Sequence, residues 1–413
     1  MTDGRAEIGT EGATLESDRA AAPGGTMTIL LVTSWPFPHL GGVSSHIQLL
    51  ARQLGIAESD VISWRHYHAP PATLAGRVAG AIRREGRRVL RRDQFTPAAK
   101  DLGRIIAVTD AEIVHCHDAM ATWAALFARR RAAKPFRIVS TVHGPMSRHM
   151  VEEGFPADGY EVRAVEQCER EAWAGCDAII AVDTTQARIV ESQGAAKDKI
   201  FVIPNAVDLR QIDAAIRRLP LARQAARPWV IVPRRLAPKN GVEFAVRALA
   251  LMPDRPQLLL AGSGPEQERL TDLVRELNLE ADVTFLGALN HAVLLPLVAT
   301  ADVVLIPSVP VHGIEEATSI AAIEAMASGR TVLASNIGGL KELICDGING
   351  LLIEPGNPAE LAATLTALLG DPKLRQTLGA AARQSVAERF CVEIWINRHR
   401  GVYRAIGGLR EFE

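Results

Sequence analysis

The sequence lacks the features that mark membrane-spanning, secreted or disulfide-stabilised proteins. No apolar run approaches the roughly 18 residues that are needed to cross a bilayer. The 5 cysteines are odd in number and form no C-x-x-C pair, which favours reduced thiols over a disulfide framework or a zinc site. A formal net charge of −1 gives the chain no overall attraction to nucleic acid or to an anionic membrane.

Residues 1–26 also lack the apolar core of a signal peptide. They are rich in glycine, alanine, threonine and acidic side chains, so we expect a disordered tail with folded sequence beginning at Met27. Because there is no secretion signal, the expected location is the cytoplasm. No internal repeat of a solenoid or propeller is visible.

Short, β-rich apolar runs alternate with longer helix-like segments from Thr28 onward. Such continuous runs are typical of parallel strands that are buried on both faces, and helical crossovers between them build doubly wound α/β sheets. The predicted strands are Thr28–Ser34, Val61–Trp64, Ile113–His115, Arg137–Val142, Ala178–Val182, Ile200–Ile203, Trp229–Pro233, Leu258–Ala261, Val283–Leu286, Val303–Pro307, Thr331–Ala334 and Gly350–Ile353.

A stretch with weak strand signals, Asp208–Pro228, divides the pattern into two halves. A chain of 413 residues exceeds what one core usually organises, so we predict two α/β domains, residues 27–208 and 209–389. Residues 390–413 carry apolar side chains at helical spacing and are predicted to pack back on the body as a helix. Ligands of such sheets bind outside the carboxyl ends of the strands, where two facing domains would form a cleft.

Two glutamates, Glu316 and Glu324, flank a predicted helix start. Thr318 or Ser319 suits the N-cap, and the alanine-rich sequence beyond favours helix. Amides of this first turn, at Thr318, Ser319 and Ile320, would face the cleft and could bind a diphosphate. The carboxylates could accept hydrogen bonds from sugar diols. The alternative is an exposed helix with two solvated glutamates.

The order of short motifs along residues 27–405 resembles the retaining GT-B glycosyltransferases of family 4. Each motif alone is weak, whereas their order is specific. The motifs are Gly41-Gly42 with His46, Val202-Ile203-Pro204-Asn205-Ala206-Val207-Asp208, Gly262-Ser263-Gly264-Pro265, Phe285-Leu286-Gly287, the two glutamates followed by Ala325-Met326-Ala327-Ser328-Gly329, Gly338-Gly339 with Glu342, Asp346-Gly347 with Asn349-Gly350, and Phe390. The chain departs from the family at Ala317-Thr318-Ser319, where Gly-Phe-Gly is common.

The resemblance implies a GT-B fold, in which two Rossmann-like domains face each other across a cleft. It implies an acceptor-side domain at 27–208 and a donor domain at 209–389. The expected reaction is the retaining transfer of a hexosyl unit from a UDP- or GDP-linked sugar to a glycan, lipid-linked or small-molecule acceptor. Glu316 would position the sugar as a catalytic residue and Glu324 would bind the ribose, without a metal or another cofactor.

Four further positions take roles from the resemblance. Arg235 and Lys239, which stands one position earlier than the family lysine, would stabilise the departing diphosphate. His143 would lie near the donor sugar and the acceptor as a second catalytic residue. Gly42 would let the backbone approach the donor closely. The alternatives are solvated loop cations, a structural histidine and a simple turn.

His115 and His117 invite a metal hypothesis because alternate residues of a strand share a face. No distant ligand set with recognisable spacing completes a site, so the sequence predicts no metal. This strand end is instead expected to line the cleft wall or to pack beneath it.

The segment Arg77–Arg92 contains seven arginines and one glutamate. As a helix it would be basic and moderately amphipathic, which suits peripheral contact with an anionic membrane or a phosphorylated acceptor. The alternative is a solvated basic face. Aromatic residues interleaved with the basic ones, as single-stranded nucleic acid would require, are absent, so no nucleic-acid partner is expected.

Two other functions use the same fold. A nucleotide-sugar epimerase or hydrolase would turn over the donor without an acceptor, since a fold does not determine a reaction. A catalytically degenerate paralogue would bind without transfer, as the altered Ala317-Thr318-Ser319 loop could indicate.

Overall fold

A computed structural model of the chain describes residues 27–38, 41–63, 103–152, 154–218, 227–311, 313 and 315–407. In these residues the backbone forms two parallel β-sheets flanked by helices. The basic segment Arg77–Arg92 lies outside the described residues. Among the helices described, none has the length and apolar character that a membrane crossing needs.

The first sheet has the strand order β1-β2-β3-β4-β5, and all its strands are parallel. Val32 of β1 also pairs with Ile62 through an isolated parallel bridge on the edge opposite β2. The sheet therefore extends from β1 in both directions. The strands are β1 (Ile29–Val32), β2 (Ile113–Cys116), β3 (Arg137–Val142), β4 (Ala178–Ala181) and β5 (Ile200–Val202).

The second sheet has the order β11-β10-β9-β6-β7-β8 and is likewise parallel. The chain builds outward from β6 through β7 to β8, and then returns to the other side of β6 with β9. The strands are β6 (Trp229–Val232), β7 (Gln257–Ala261), β8 (Val283–Gly287), β9 (Val303–Ile306), β10 (Thr331–Ser335) and β11 (Leu351–Ile353).

Helices follow most strands, and several start at a residue whose side chain caps the first turn, such as Asp118, Asp183 and Ser319. The helices are α1 (Gly42–Gln53), α2 (Ala119–Arg129), α3 (Met146–Glu152), α4 (Tyr160–Gly175), α5 (Thr184–Ser192), α6 (Leu209–Arg218), α7 (Val242–Leu251), α8 (Gln267–Glu276), α9 (His291–Thr300), α10 (Ile320–Ala327), α11 (Leu340–Leu343), α12 (Pro358–Gly370), α13 (Pro372–Arg389) and α14 (Val392–Gly407). Residues 103–107 are also helical.

These parallel sheets confirm the predicted α/β class. Each predicted strand overlaps an observed one except Val61–Trp64, where Ile62 forms only the bridge and Trp64 is outside the described residues. The strands read as continuous apolar runs because both faces of each sheet are covered; β2, β4 and β9 are buried along their whole length.

The last helix, α14, packs on the first sheet rather than on the second sheet that precedes it. Trp395 and Tyr403 share one buried cluster with Leu31 of β1 and Ile47 of α1. The Tyr403 hydroxyl is also hydrogen-bonded to His115 Nδ1 at 2.7 Å. The C-terminal end of the chain therefore stabilises the N-terminal sheet.

Two glycines let the loops at the carboxyl edge of the second sheet approach each other. Gly241, before α7, has φ 61°, and a Cβ there would lie 1.9 Å from the Pro307 carbonyl oxygen. Gly338, after β10, has φ 46°, and a Cβ there would lie 2.0 Å from the Glu316 carbonyl oxygen. Only glycine fits both the backbone conformation and the contact.

Replacing Tyr403 with phenylalanine tests whether its hydrogen bond to His115 stabilises the packing of α14 on the first sheet. The change leaves His115 Nδ1 buried without its partner, so we expect a loss of about 1–3 kcal/mol in the free energy of unfolding. Tyr160→Phe is the matched control, because Tyr160 is 61% exposed whereas Tyr403 is fully buried. Urea denaturation would measure the free energy of unfolding of both variants. Equal values would contradict a stabilising role of this hydrogen bond in the packing of α14.

Candidate functional site

The second sheet has a topological switch point between β6 and β9. One connection leaves β6 toward β7, and the chain later enters β9 on the other side of β6. The loops that follow these two strands are therefore neighbours at the carboxyl edge of the sheet, where doubly wound folds bind their ligands. They contain the predicted site residues Arg235, Lys239, Glu316, Thr318 and Ser319.

A buried ion pair joins these two loops. Arg234 Nη2 lies 2.7 Å from Glu316 Oε2, and the two side chains are only 10% and 11% exposed. Arg234 Nη1 also donates a hydrogen bond to Ser319 Oγ at 3.0 Å. Arg234 was not among the predicted site residues, although the adjacent basic pair Arg234-Arg235 was a visible signal.

Arg235 and Lys239 are placed differently from Arg234. Arg235 is exposed, and no hydrogen bond of its side chain is found within the described residues. Lys239 Nζ instead lies 2.9 Å from Glu152 Oε2 of α3, in the N-terminal half of the chain. Arg235 is thus available to an anion, whereas Lys239 is engaged in an ion pair that crosses the cleft.

The helix predicted after Thr318 or Ser319 begins at Ile320, and Ser319 is its N-cap, as expected. Across the cleft, the N-terminus of α1 faces this helix start: a Cβ on Gly42 would lie 3.5 Å from Ile320 Cδ1. Two helix N-termini, each with a partial positive charge, therefore border the same space. This places the predicted donor-binding residues Gly42, Ser319 and Ile320 together.

Thr318 is bound to the N-terminal half of the chain on three sides. Its amide donates to Asp183 Oδ2 at 3.1 Å, and its hydroxyl donates to the Val182 carbonyl oxygen. Its own carbonyl oxygen accepts a hydrogen bond from Asn205 Nδ2 at 3.0 Å. The amide of Thr318, predicted to bind the donor diphosphate, is used in this structure to join the two domains, as is its hydroxyl.

Glu324 has a partner that the sequence analysis did not anticipate. Its Oε1 lies 2.7 Å from Nε2 of His291, the first residue of α9. This hydrogen bond raises the pKa of His291. Glu324 itself is mostly buried, with 13% of its side chain exposed. His291 follows the Phe285-Leu286-Gly287 motif closely, which was the signal available in the sequence.

The two glutamates share one arrangement. In Glu316 the Oε2 atom bonds Arg234, and in Glu324 the Oε1 atom bonds His291. Within the described residues, no protein donor is found for the other oxygen of either carboxylate. Each glutamate is therefore held by a basic side chain and keeps an acceptor for a ligand.

His143 lies at the end of β3 beside two other histidines, His46 of α1 and His117 after β2. The ring centroids of His143 and His46 are 4.6 Å apart. Burial lowers the pKa of His46 to about 4 and holds the pKa values of His117 and His143 well below the usual range. These rings are therefore neutral near pH 7 and able to accept as well as donate hydrogen bonds.

His115 and His117 share one face of the strand end, as predicted, and their rings stack at 4.5 Å. Both nitrogens of His115 are satisfied, Nδ1 by the Tyr403 hydroxyl and Nε2 by Thr141 Oγ1, each at 2.7 Å. His115 is fully buried, so it packs beneath the cleft wall and does not line it.

Comparisons with known proteins agree with this architecture. The family model described as Glycosyl transferases group 1 matches residues 217–385, and the one described as Glycosyltransferase Family 4 matches residues 40–211. A D-inositol 3-phosphate glycosyltransferase of Xylanimonas cellulosilytica is 30% identical over 298 residues, which cover 68% of each chain.

Two solved structures share the fold across most of their length. Sucrose-phosphate synthase from Thermosynechococcus elongatus superposes with a TM-score of 0.74 at 22% identity, covering 92% of this chain and 98% of the other. The Anabaena protein HepE in complex with UDP-glucose superposes with a TM-score of 0.68 at 19% identity, covering 92% and 100%.

Removing Arg234 tests the buried ion pair. In Arg234→Leu the Glu316 carboxylate is left buried without its counter-charge, so we expect a loss of about 3 kcal/mol or more in the free energy of unfolding. Adding Glu316→Gln to this variant removes the orphaned charge and should restore part of the loss. The exposed neighbour supplies the control: Arg235→Leu should change stability by no more than about 0.5 kcal/mol. Chemical denaturation of the unaltered protein, Arg234→Leu, Glu316→Gln, their double variant and Arg235→Leu decides, and additive effects of the paired substitutions would count against the coupling.

Proposed function

Because the chain belongs to the group 1 glycosyltransferases of family 4, and is thus a GT-B glycosyltransferase, we propose that it is a retaining hexosyltransferase. It moves a hexosyl unit from a nucleotide-diphosphate sugar to a glycan, lipid-linked or small-molecule acceptor. The observation that carries this proposal is the pair Glu316 and Glu324, each held by a basic side chain with one oxygen left for a ligand.

The diphosphate is assigned to the start of α10. The amides of Ile320 and Ala321 have no partners within the helix, and the helix dipole favours an anion there. The exposed Arg235 supplies a fixed charge beside them. Lys239 joins when its ion pair with Glu152 yields to the more highly charged diphosphate. These groups stabilise the charge that develops on the departing phosphate, so the proposed step requires no metal.

The sugar and the ribose are assigned to the two glutamates. Glu316 lies before the helix start, next to the expected position of the diphosphate, and its Oε1 is free to accept from a sugar hydroxyl. Glu324 lies in the second turn of α10, where its Oε2 is free to accept from the ribose. An acceptor-only carboxylate matches a diol, which offers two O–H donors.

The acceptor approaches from the first domain. His143 is partly exposed and lies at the end of β3, on the N-terminal side of the cleft. We propose that its imidazole bonds a hydroxyl of the donor sugar or the acceptor. In a same-face substitution the departing phosphate oxygen takes the acceptor proton while the new glycosidic bond forms, which retains the anomeric configuration.

The base and sugar of the donor are proposed from a structural neighbour and from the family resemblance. The Anabaena structure of the same fold is a complex with UDP-glucose, so UDP-linked hexoses are the first candidates. GDP-linked hexoses, which the resemblance also implies, are the second. The domain boundaries, the cytoplasmic location and the membrane contact through Arg77–Arg92 stay predictions.

Nucleotide binding tests the role of Glu324. We expect Glu324→Ala to weaken binding of the preferred nucleotide roughly tenfold to a hundredfold, because hydrogen bonds to a charged group contribute about 1.5–3 kcal/mol. Glu268→Ala, an exposed carboxylate of α8 in the same domain, should bind as the unaltered protein does. Calorimetry with UDP, GDP and ADP and their glucose conjugates would measure this. Unchanged affinity in a folded Glu324→Ala protein would contradict the assignment.

Product analysis separates transfer from its two alternatives. We expect donor consumption to depend on an acceptor and the product to keep the anomeric configuration of the donor, as proton NMR coupling constants would show. Turnover of the donor alone would support the epimerase or hydrolase alternative. Nucleotide-sugar binding without any turnover, across glycan and lipid acceptors, would support a degenerate paralogue. Inversion at the anomeric carbon would refute the same-face mechanism.

A further inference from the structure

Three histidines from separate segments converge in the first domain: His46 of α1, His117 after β2 and His143 after β3. One ring nitrogen of each lies within 4.8 Å of the corresponding nitrogens of the other two. His46 and His117 are 3% and 2% exposed. The cluster is thus an interior feature of the fold, placed where three consecutive segments of the sheet edge meet.

Four ring nitrogens of this cluster have no hydrogen-bond partner among the described residues. The buried atoms without a hydrogen bond include His46 Nε2, His143 Nε2 and both ring nitrogens of His117. A buried polar atom that gives up water without gaining a partner is costly, and native proteins rarely leave several together. The concentration of such atoms at one point indicates that the point is built for a ligand.

A hydrogen bond to Asn205 fixes the orientation of the His46 ring. Its Nδ1 lies 2.9 Å from Asn205 Oδ1, and Asn205 Nδ2 donates to the Thr318 carbonyl oxygen at 3.0 Å. Because that second bond assigns the amide, Oδ1 is the acceptor and the proton of His46 is on Nδ1. The lone pair of Nε2 therefore faces the cluster. Metal-binding histidines are commonly held in this way by an oxygen acceptor on the other nitrogen.

The rings of His115 and Trp395 pack against the cluster. His115 stacks on His117, but both of its nitrogens are already satisfied. The Trp395 ring packs against His46 with centroids 5.0 Å apart. The third histidine, His143, is partly exposed, so the cluster opens on its side.

We propose that His46, His117 and His143 bind one divalent transition-metal ion through three imidazole nitrogens. Neutral imidazoles without carboxylate or thiolate ligands suit Zn²⁺, Co²⁺, Ni²⁺ or Cu²⁺ and do not suit Mg²⁺ or Ca²⁺. In a tetrahedral zinc site the ligand nitrogens are about 3.4 Å apart, so small ring movements would close the present spacing. The fourth position lies on the open side and takes water or a small anion.

This inference revises the prediction of no metal. In the sequence, no further ligands could be found for the pair His115 and His117. In the fold, His117 lies together with His46 and His143, and His115 is not part of the group. The site shares His143 with the proposed hydroxyl contact, but the proposed transfer step assigns no role to a metal ion. Metal binding can therefore be measured without donor or acceptor.

Metal content is measured on the full chain without a polyhistidine tag, after chelator treatment and re-addition of Zn²⁺. We expect one zinc ion per chain by mass spectrometry, and the strong visible absorption of tetrahedral Co²⁺ after cobalt replacement. His46→Gln, His117→Gln and His143→Gln should each lose stoichiometric metal and the cobalt spectrum. His149→Gln, a histidine outside the cluster, is the matched control and should keep both.

Two outcomes would overturn the site. One is a folded, unaltered protein that takes up no stoichiometric zinc and shows no tetrahedral cobalt spectrum. The other is equal metal loss in His149→Gln and in the cluster variants, which indicates adventitious surface binding. If the buried variants fail to fold, His143→Gln still decides, because its ring is partly exposed and circular dichroism can verify its fold.

Discussion

The buried ion pair between Arg234 and Glu316 organises the switch point of the second sheet. It ties the loop after β6 to the loop after β9, and through Ser319 Oγ it also holds the N-cap of α10. Gly338 then packs against the Glu316 carbonyl oxygen, so the loop after β10 depends on the same glutamate. A buried pair of this kind contributes little net stability but is costly to break, which makes it a device for fixing geometry. The Glu316 carboxylate, which we propose positions the sugar, is therefore oriented before any ligand arrives.

Thr318 transmits this order to the first domain. Its amide, hydroxyl and carbonyl oxygen each bond a residue of the N-terminal half, at Asp183, Val182 and Asn205. Burial raises the pKa of Asp183 to about 6, so this carboxyl group takes up a proton as the pH falls below neutral. It can accept the hydrogen bond from the Thr318 amide in either protonation state. Thr318 stands where the family commonly has the phenylalanine of Gly-Phe-Gly. Its hydroxyl therefore adds a contact between the domains. The start of α10 is fixed from both sides of the cleft.

The sequence predicted local features well and long-range neighbours poorly. Continuous apolar runs located the strands because a strand buried on both faces needs them, and Ser319 as a helix N-cap followed from local chemistry. Arg235 was predicted at the site and Arg234 was not, because the bend after β6 that directs Arg234 toward Glu316 and leaves Arg235 exposed depends on the tertiary structure. The cluster of His46 with His143 depends on strand order, which no spacing in the sequence encodes.

Asn205 shows why one residue type is required where the two halves of the site meet. Its Oδ1 accepts from His46 while its Nδ2 donates to the Thr318 carbonyl oxygen. Aspartate would present an oxygen to that carbonyl and repel it, and a hydrophobic residue would leave both partners buried without a hydrogen bond. Only an amide offers a donor and an acceptor at one carbon, and glutamine would place them one methylene farther away. The histidine cluster and the donor-side helix are therefore oriented by the same side chain, so a shift at either must move or break a bond at the other.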